Sequence, residues 1–594
     1  FLKYETPENV ELDKTIVSNN LFGVDLSPES VEITKLSLWL KTATQGKNLT
    51  YLDDNIKVGN SIINDAKITD LPFNWESEFP QVFAEGGFDI VIGNPPYIRQ
   101  ELLSPFKPYL QENYQTYDGV ADIYIYFYEK GLNLLKPGGI ISYIVTNKWL
   151  RSGYGESLRR FFCQSSVFEQ IIDFGDAPIF ADADTFPCII AARKSEVSNT
   201  DNENKSVLVC AVPREELKNI NLIQYVQNPE NSFTIPWSRF SAHAWSLEPP
   251  AVDDLMRKIQ RVGVPLKEFA GVKPYRGIMT GFNEAFFIDD TTKNKLVQCD
   301  PKCAEIIKPL LRGQDIKRWC PEWKNLWMIF AHKNINIEQY PVIKQHLEVY
   351  RNKLEARAGK QLWWQLQASP TFYHLFEQPK IIYQVIQTFP LYALENSGVF
   401  GNDKTFILPT QDLFILGLLN SPLIWWYGQR FFTKMLSDAI SPMGYLMETL
   451  PIAQPTEQIR AEVEAIVTRL IEITKLNGQV YQDVLDWLQI EYKIEKLGNK
   501  LEDFATLEFS EFVEEVRKRI PKQKNAKKSS DPLSIPAFTA LRQAHNDYVP
   551  AINSRKNEAV KLEQRLSDLI NQAYQLTAEE IDLIWKTAPP RMPI

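Results

Sequence analysis

Short apolar runs alternate with amphipathic and polar stretches through the first 235 residues, a pattern that predicts an α/β sheet. Residues 21–24 (LFGV) read as a strand closing on Asp25. Ser27 suits an N-cap and Pro28 the first helical position, so a helix follows over 31–40. Its Val31, Ile33, Leu36, Leu38, Trp39 and Leu40 are apolar enough to pack on a sheet. Residues 56–61 (IKVGNS) form another strand running into a loop. The run 88–92 (FDIVI) predicts a strand buried on both faces of a parallel sheet, ended by Gly93. A helix over 120–135 is broken by Pro137-Gly138-Gly139, and strands follow at 140–146, 168–174 and 185–192. Residues 194–206 are a polar, low-complexity loop.

From about Pro236 the texture changes to short strands, many aromatics and few long helices, and beyond Pro455 it turns helical. Helices are expected at 457–476, 480–497, 509–519, 541–574 and 578–585, with a basic, Pro-containing linker at 517–528. The expected domains are therefore 1–235, 236–455 and 456–594, in keeping with the three or four cores that a chain of 594 residues predicts. Hydrophobic content of 44% with 23% charged residues is that of a soluble globular protein. With no run of eighteen apolar residues and no signal-peptide pattern, no membrane is expected and a cytoplasmic location is the default. Net charge is −9, which does not advertise a nucleic-acid binder, although only a contact face need be basic. The six cysteines are scattered, and Cys299 and Cys303 lack a second pair, so neither a metal site nor a disulfide framework is read.

The chemistry concentrates in Asn94-Pro95-Pro96-Tyr97, at the carboxyl end of the strand over 88–92, where open α/β sheets bind ligands. Two prolines fix φ and stiffen the loop. The Asn94 amide oxygen and the Pro95 carbonyl are two acceptors beside the flat face of Tyr97, which suits an exocyclic amine on a planar base. As a tetrapeptide it is equally a turn. Asp25, closing a strand before a helix, suits both hydroxyls of a ribose or serves as a helix-start carboxylate. There is no GxxxxGK[ST] phosphate loop and no HExxH, and five scattered histidines support no triad. Glu491-Tyr492-Lys493 lacks the strand context that metal-dependent cleavage needs.

The stretch FDIVIGNPPYIRQ, with LLKPGGIISYIVTNKWL, resembles the γ-class enzymes that methylate adenine N6 in DNA. Further on, residues 276–287 (RGIMTGFNEAFF), 307–319 (IKPLLRGQDIKRW) and 418–423 (LLNSPL) resemble a TaqI-like specificity domain. The whole is similar to type IIG restriction-modification enzymes and to the PglX methyltransferases of BREX systems. That resemblance implies a Rossmann-like class I methyltransferase sheet, a mixed α+β target-recognition domain and a helical C-terminal region. It implies S-adenosyl-L-methionine as cofactor, with Asp25 on its ribose, Leu26 on its adenine, Asn60 accepting from the adenine amine, and Asp122 and Tyr124 lining its pocket. A Gly-Asn turn without a ligand is the other reading of Asn60. Asn94, Pro95, Pro96 and Tyr97 would receive the flipped base, and double-stranded DNA is the implied partner.

Basic residues Lys273, Arg276, Lys308, Arg312, Lys317 and Arg318 alternate with Tyr275 and Trp319, a mixture suited to phosphate contacts with base readers nearby. Many solvated surface charges look the same. No Gly-rich turn precedes Asp25 and the chain begins at Phe1, which predicts that the first strand and the methionine-binding loop lie upstream. A nuclease domain or subunit would likewise be upstream or separate. The rival functions are methylation of RNA or of a protein amide, and a DNA-binding specificity subunit with an inactive methyltransferase half.

Overall fold

Ser27 caps the Pro28–Thr42 helix as its sequence predicts, its Oγ accepting from the Ser30 N–H at 3.2 Å. The helix follows β1 (Gly23–Asp25), which pairs in parallel with β2 (Ile56–Val58) in a two-stranded sheet of its own. An aromatic cluster of Phe22, Phe73, Trp75, Phe79, Phe83 and Phe88 packs edge to face beneath it, with ring centroids 5.2–6.3 Å apart. This computed structural model describes residues 7–43, 49–175, 179, 186–195, 205–212, 217, 220–368, 370–435, 438–521 and 533–593. The chain divides into two units, 1–253 and 254–594.

The main sheet of the first unit has six strands. They are β3 (Phe88–Gly93), β4 (Leu135–Thr146), β5 (Ser166–Asp173), β6 (Pro187–Lys194), β7 (Ser206–Ala211) and β8 (Ser232–Pro236), in the order β3-β4-β6-β5-β7-β8. β3 and β4 are parallel, whereas β6 runs antiparallel to both of its neighbours. The core is aromatic, with Tyr128, Trp149, Phe162, Phe168, Trp237 and Trp245 all buried.

Several expectations need correction. β3 is not buried on both faces: it is an edge strand, and Ile90 and Ile92 are 61% and 76% exposed. Ile33, Leu36 and Leu40 on the Pro28–Thr42 helix are exposed as well, while Val31 is buried. Pro137-Gly138-Gly139 breaks nothing, because the helix Tyr124–Leu134 ends before it and β4 runs through it from Leu135. Gly138 takes φ +78°, and a Cβ on Gly139 would stand 3.0 Å from the carbonyls of Phe88 and Asp89. The sheet also gains β7 and β8 beyond the strands expected. Thr185 and most of the loop over 194–206 lie outside the described residues. The first unit continues past 235, since Trp237, Phe240, Trp245 and Leu247 are part of its core.

In the second unit two four-stranded sheets carry the core. One has the order Tyr275–Arg276, Thr405–Leu408, Lys380–Gln384, Tyr392–Glu395; the other is Phe287–Asp289, Leu326–Ile329, Ile307–Leu311, Phe400–Gly401. The expected helices at 457–476 and 480–497 are largely one helix of 36 residues, Glu457–Tyr492. It runs antiparallel to Ile535–Ala573, and bidentate Arg469–Glu558 and Arg565–Glu462 pairs at 2.7 and 3.0 Å stitch the two. The helices Phe509–Arg519 and Ala578–Lys586 fall where expected, whereas residues 522–528 of the basic linker lie outside the described residues. Within the second unit the Glu457–Tyr492 helix packs closely on the helix Leu413–Leu419, where a Cβ on Gly417 would meet Val463 and Val467 at 3.1 and 2.9 Å.

Candidate active site

The β3–β4 ladder ends at Gly93, paired with Tyr143, and Asn94-Pro95-Pro96-Tyr97 continues beyond it at the carboxyl edge of the sheet. Asn94 and Pro96 are exposed, Pro95 is buried, and Tyr97 is 39% exposed. The Tyr97 ring leans on Tyr124, centroids 5.9 Å apart at 58°. Partial burial, with the Cys188 thiol close by, pushes the Tyr97 phenol up to about 12, so its hydroxyl stays neutral at physiological pH. Tyr124 is itself buried, and its hydroxyl is hydrogen-bonded to that of Tyr154 at 2.9 Å. It backs the Tyr97 ring from the start of the Tyr124–Leu134 helix. The Asp122 carboxylate is also committed, its Oδ1 accepting the Ile98 N–H at 3.0 Å. Burial raises the Asp122 pKa, and backbone N–H groups at Ile98, Ile123 and Tyr124 pull it back down.

At the end of β1 the Asp25 Oδ1 accepts from the Ser27 N–H at 2.8 Å, and the side chain remains exposed. Leu26 beside it is 56% exposed. Asn60 behaves as a turn residue, its Oδ1 accepting from the N–H groups of Ile62 and Ile63, both at 3.2 Å.

Sequence reading missed the groups at the neighbouring strand ends. Asn147, just after β4, donates its Nδ2–H to Asp173 Oδ1 at the end of β5, 2.8 Å away. Lys148 lies over the Phe186 ring, 5.6 Å from its centroid. The available signal was position alone: each residue sits one or two places from the end of an apolar run.

Comparison with known proteins follows this geometry. Residues 19–180 match the Eco57I restriction-modification methylase family. Residues 308–452 match the TaqI-like C-terminal specificity domain, and 456–570 match a domain of unknown function. The methylase match thus precedes the specificity-domain match along the chain. Type II methyltransferase M.PaeR7I of Pseudomonas aeruginosa is 29% identical over 306 residues, 49% of this chain and 50% of that protein. Type II methyltransferase M.BstVI of Geobacillus stearothermophilus is 22% identical over 443 residues, 67% of this chain and 76% of that protein. The chain thus spans about half the length of M.PaeR7I. Among solved structures, the Type IIL restriction-modification enzyme MmeI in complex with DNA has a TM-score of 0.50 at 11% identity, covering 98% of this chain and 76% of that one. This likeness supports a mixed α/β, methyltransferase-like fold.

In and beside the specificity segment the basic residues divide. Lys273, Arg276 and Lys317 are exposed; Lys273 lies over the Tyr275 ring, and the Arg276 Nε–H donates to the Asp403 carbonyl at 3.0 Å. Arg312 is held by both oxygens of Asp315 at 2.9 and 3.0 Å, with its side chain partly exposed. Arg318 departs from the expectation. It is largely covered, donating to Glu563 at 2.8 Å and to the Asn420 carbonyl at 2.7 Å, while Trp319 Nε1–H donates to the other Glu563 oxygen at 2.9 Å. Trp319 has φ +73°, held by backbone bonds to Tyr392 and Leu394. Arg318 is a structural ion pair, not a surface cation.

Proposed function

We propose that this chain belongs to a site-specific DNA methyltransferase that transfers a methyl group from S-adenosyl-L-methionine to adenine N6, as part of a restriction-modification or related phage-defence system. The observation that carries the reading is the Asn94-Pro95-Pro96-Tyr97 loop: an exposed amide and a half-exposed aromatic ring at the carboxyl end of β3, in a methylase segment followed by a specificity segment. The target adenine leaves the duplex stack. Tyr97 stacks on it, backed by Tyr124, while the Asn94 amide oxygen and the Pro95 carbonyl accept from its amine. Both acceptors bias the nitrogen lone pair towards an in-line methyl group, and that orientation supplies much of the acceleration. A neutral amine attacks and loses its proton afterwards, so the site needs no strong base.

The cofactor, when bound, supplies an electrophilic methyl group on a sulfonium. The residues present fit its nucleoside half: the exposed Asp25 carboxylate suits the ribose diol, and the exposed Leu26 suits one face of the adenine. Asn60, in the turn after β2, would meet the adenine amine of the cofactor. The open edge of β3, with exposed Ile90 and Ile92, suits one more parallel strand, whose following turn would hold the methionine end. Lys273, Arg276, Arg312 and Lys317 are the candidates for phosphate contacts.

Radiolabelled methyl transfer and gel shift on the same oligonucleotides test the reading. Asn94→Ala should cost on the order of 10²-fold or more in transfer, by analogy with removal of one preorganised polar contact, and leave DNA affinity within about twofold because affinity comes mainly from phosphates. Near wild-type transfer by Asn94→Ala would overturn the assignment.

A further inference from the structure

Asn94-Pro95-Pro96-Tyr97 lies beyond the last pair of the β3–β4 ladder, and two of its four residues have no N–H. No backbone donor can tie the loop down at Pro95 or Pro96. The first N–H groups after them belong to Tyr97 and Ile98, and it is Ile98 that the fold grips. Its N–H donates to Asp122 Oδ1 at 3.0 Å, and its carbonyl accepts from the Ile123 N–H at 3.3 Å. Both partners immediately precede the Tyr124–Leu134 helix. A second tether lies two residues further on. There Lys107 Nζ bridges Gln100 Oε1 at 2.7 Å and the Gly119 carbonyl at 2.8 Å.

The same helix start orients Tyr97. Tyr124, two residues after Asp122, supports the Tyr97 ring from behind and is fixed in turn by the Tyr154 hydroxyl. A carboxylate acceptor makes a shorter and stronger hydrogen bond to an amide than a neutral group does. Asp122 thus controls where the residue after Tyr97 sits, and with it the tilt of the ring and the direction of the Pro95 carbonyl.

We propose that Asp122 is a positioning residue: its carboxylate, through the Ile98 N–H, fixes the Asn94–Tyr97 loop in the orientation that receives the target base, and it makes no cofactor contact. This inference rests on the methyl-transfer reading above and gives Asp122 a different task from lining a cofactor pocket.

The experiment compares Asp122→Ala and Asp122→Asn with wild type in the full-length protein. Asparagine keeps an acceptor oxygen at the same place, whereas alanine removes it. Four readouts are taken: amide hydrogen exchange at Tyr97 and Ile98, calorimetric affinity for S-adenosyl-L-methionine, fluorescence of 2-aminopurine at the target position, and kcat with KM. Asp122→Ala should speed exchange at Ile98 and lower the 2-aminopurine signal. It should also reduce kcat roughly 10- to 100-fold, the scale of a misplacement of about 1 Å, with cofactor affinity changed less than twofold. Asp122→Asn should restore most of each. A loss confined to cofactor affinity, an unchanged kcat in Asp122→Ala, or failure of Asp122→Asn to rescue would overturn the proposal. If wild-type protein leaves adenine unmethylated, the functional reading fails, and unchanged exchange at Ile98 in Asp122→Ala would separately refute the anchoring.

Discussion

Arg318 and Lys317 are neighbours in sequence with opposite fates. Arg318 Nη1 pairs with Glu563 at 2.8 Å, the two side chains only 14% and 13% exposed. Removing one partner of such a pair leaves a buried charge, so Glu563→Gln should destabilise the second unit by about 3–5 kcal/mol, measured by chemical denaturation. Lys317 is exposed, and Lys317→Ala should leave stability unchanged while lowering the salt slope of DNA binding by about one. At this scale, what the sequence makes readable is what is local. Asn94 to Tyr97 and the Asp25–Ser27 helix start stand where their own neighbours put them. Glu563 reaches Arg318 across 245 positions and Tyr154 reaches Tyr124 across 30, pairings that no spacing rule encodes. A basic side chain does not announce in sequence which way it faces, as Arg318 beside Lys317 shows.

Helix starts and strand interiors are governed by capping and periodicity, and those elements fall close to expectation. Phe509–Arg519 has the expected bounds, and Ala578–Lys586 starts where expected, behind a Thr577–Glu580 capping box. Elsewhere tertiary packing overrides local signals. Gly478 does not divide the 36-residue helix, and Pro550 lies inside the 39-residue one, because cross-helix ion pairs and buried Leu566, Leu569 and Ile570 hold both. The exposure of β3 could not be foreseen either, since an apolar run tells that a strand wants cover, not whether cover is present. Within Phe509–Arg519, Lys518 and Arg519 hold the Glu515 carboxyl down to about 2. A depressed carboxyl contributes stability that is present above its unfolded pKa and lost as pH falls through its folded one. Glu515→Gln should therefore cost about 1 kcal/mol at neutral pH, and the difference from wild type should shrink between pH 4.5 and 2. Thermal melts of both proteins across that range check the sign.

On the proposed function, chemistry falls to the first unit of the molecule and recognition to the second. Deleting everything from residue 254 should abolish sequence preference and leave weak, salt-sensitive binding. A cut at 236 would instead strip Trp237, Phe240, Trp245 and Leu247 from the first core. The remainder still selecting one site among random duplexes would place the reader elsewhere. Within the first unit, covering Ile90 and Ile92 with one more paired strand should stabilise it by about 1.5–3 kcal/mol per side chain. It should also raise affinity for S-adenosyl-L-methionine, so a calorimetric titration in which residues 1–594 alone bind as tightly as the extended protein would refute that part. The central claim is transfer to adenine N6, and nucleoside mass spectrometry tests it most directly. Plasmid DNA is taken from a host without adenine methylation that expresses the full-length protein or its Asn94→Ala variant. The account predicts N6-methyladenine at a single recognition sequence with the wild type and none with the variant. Methylcytosine in place of N6-methyladenine, or equal N6-methyladenine from the variant, would contradict it.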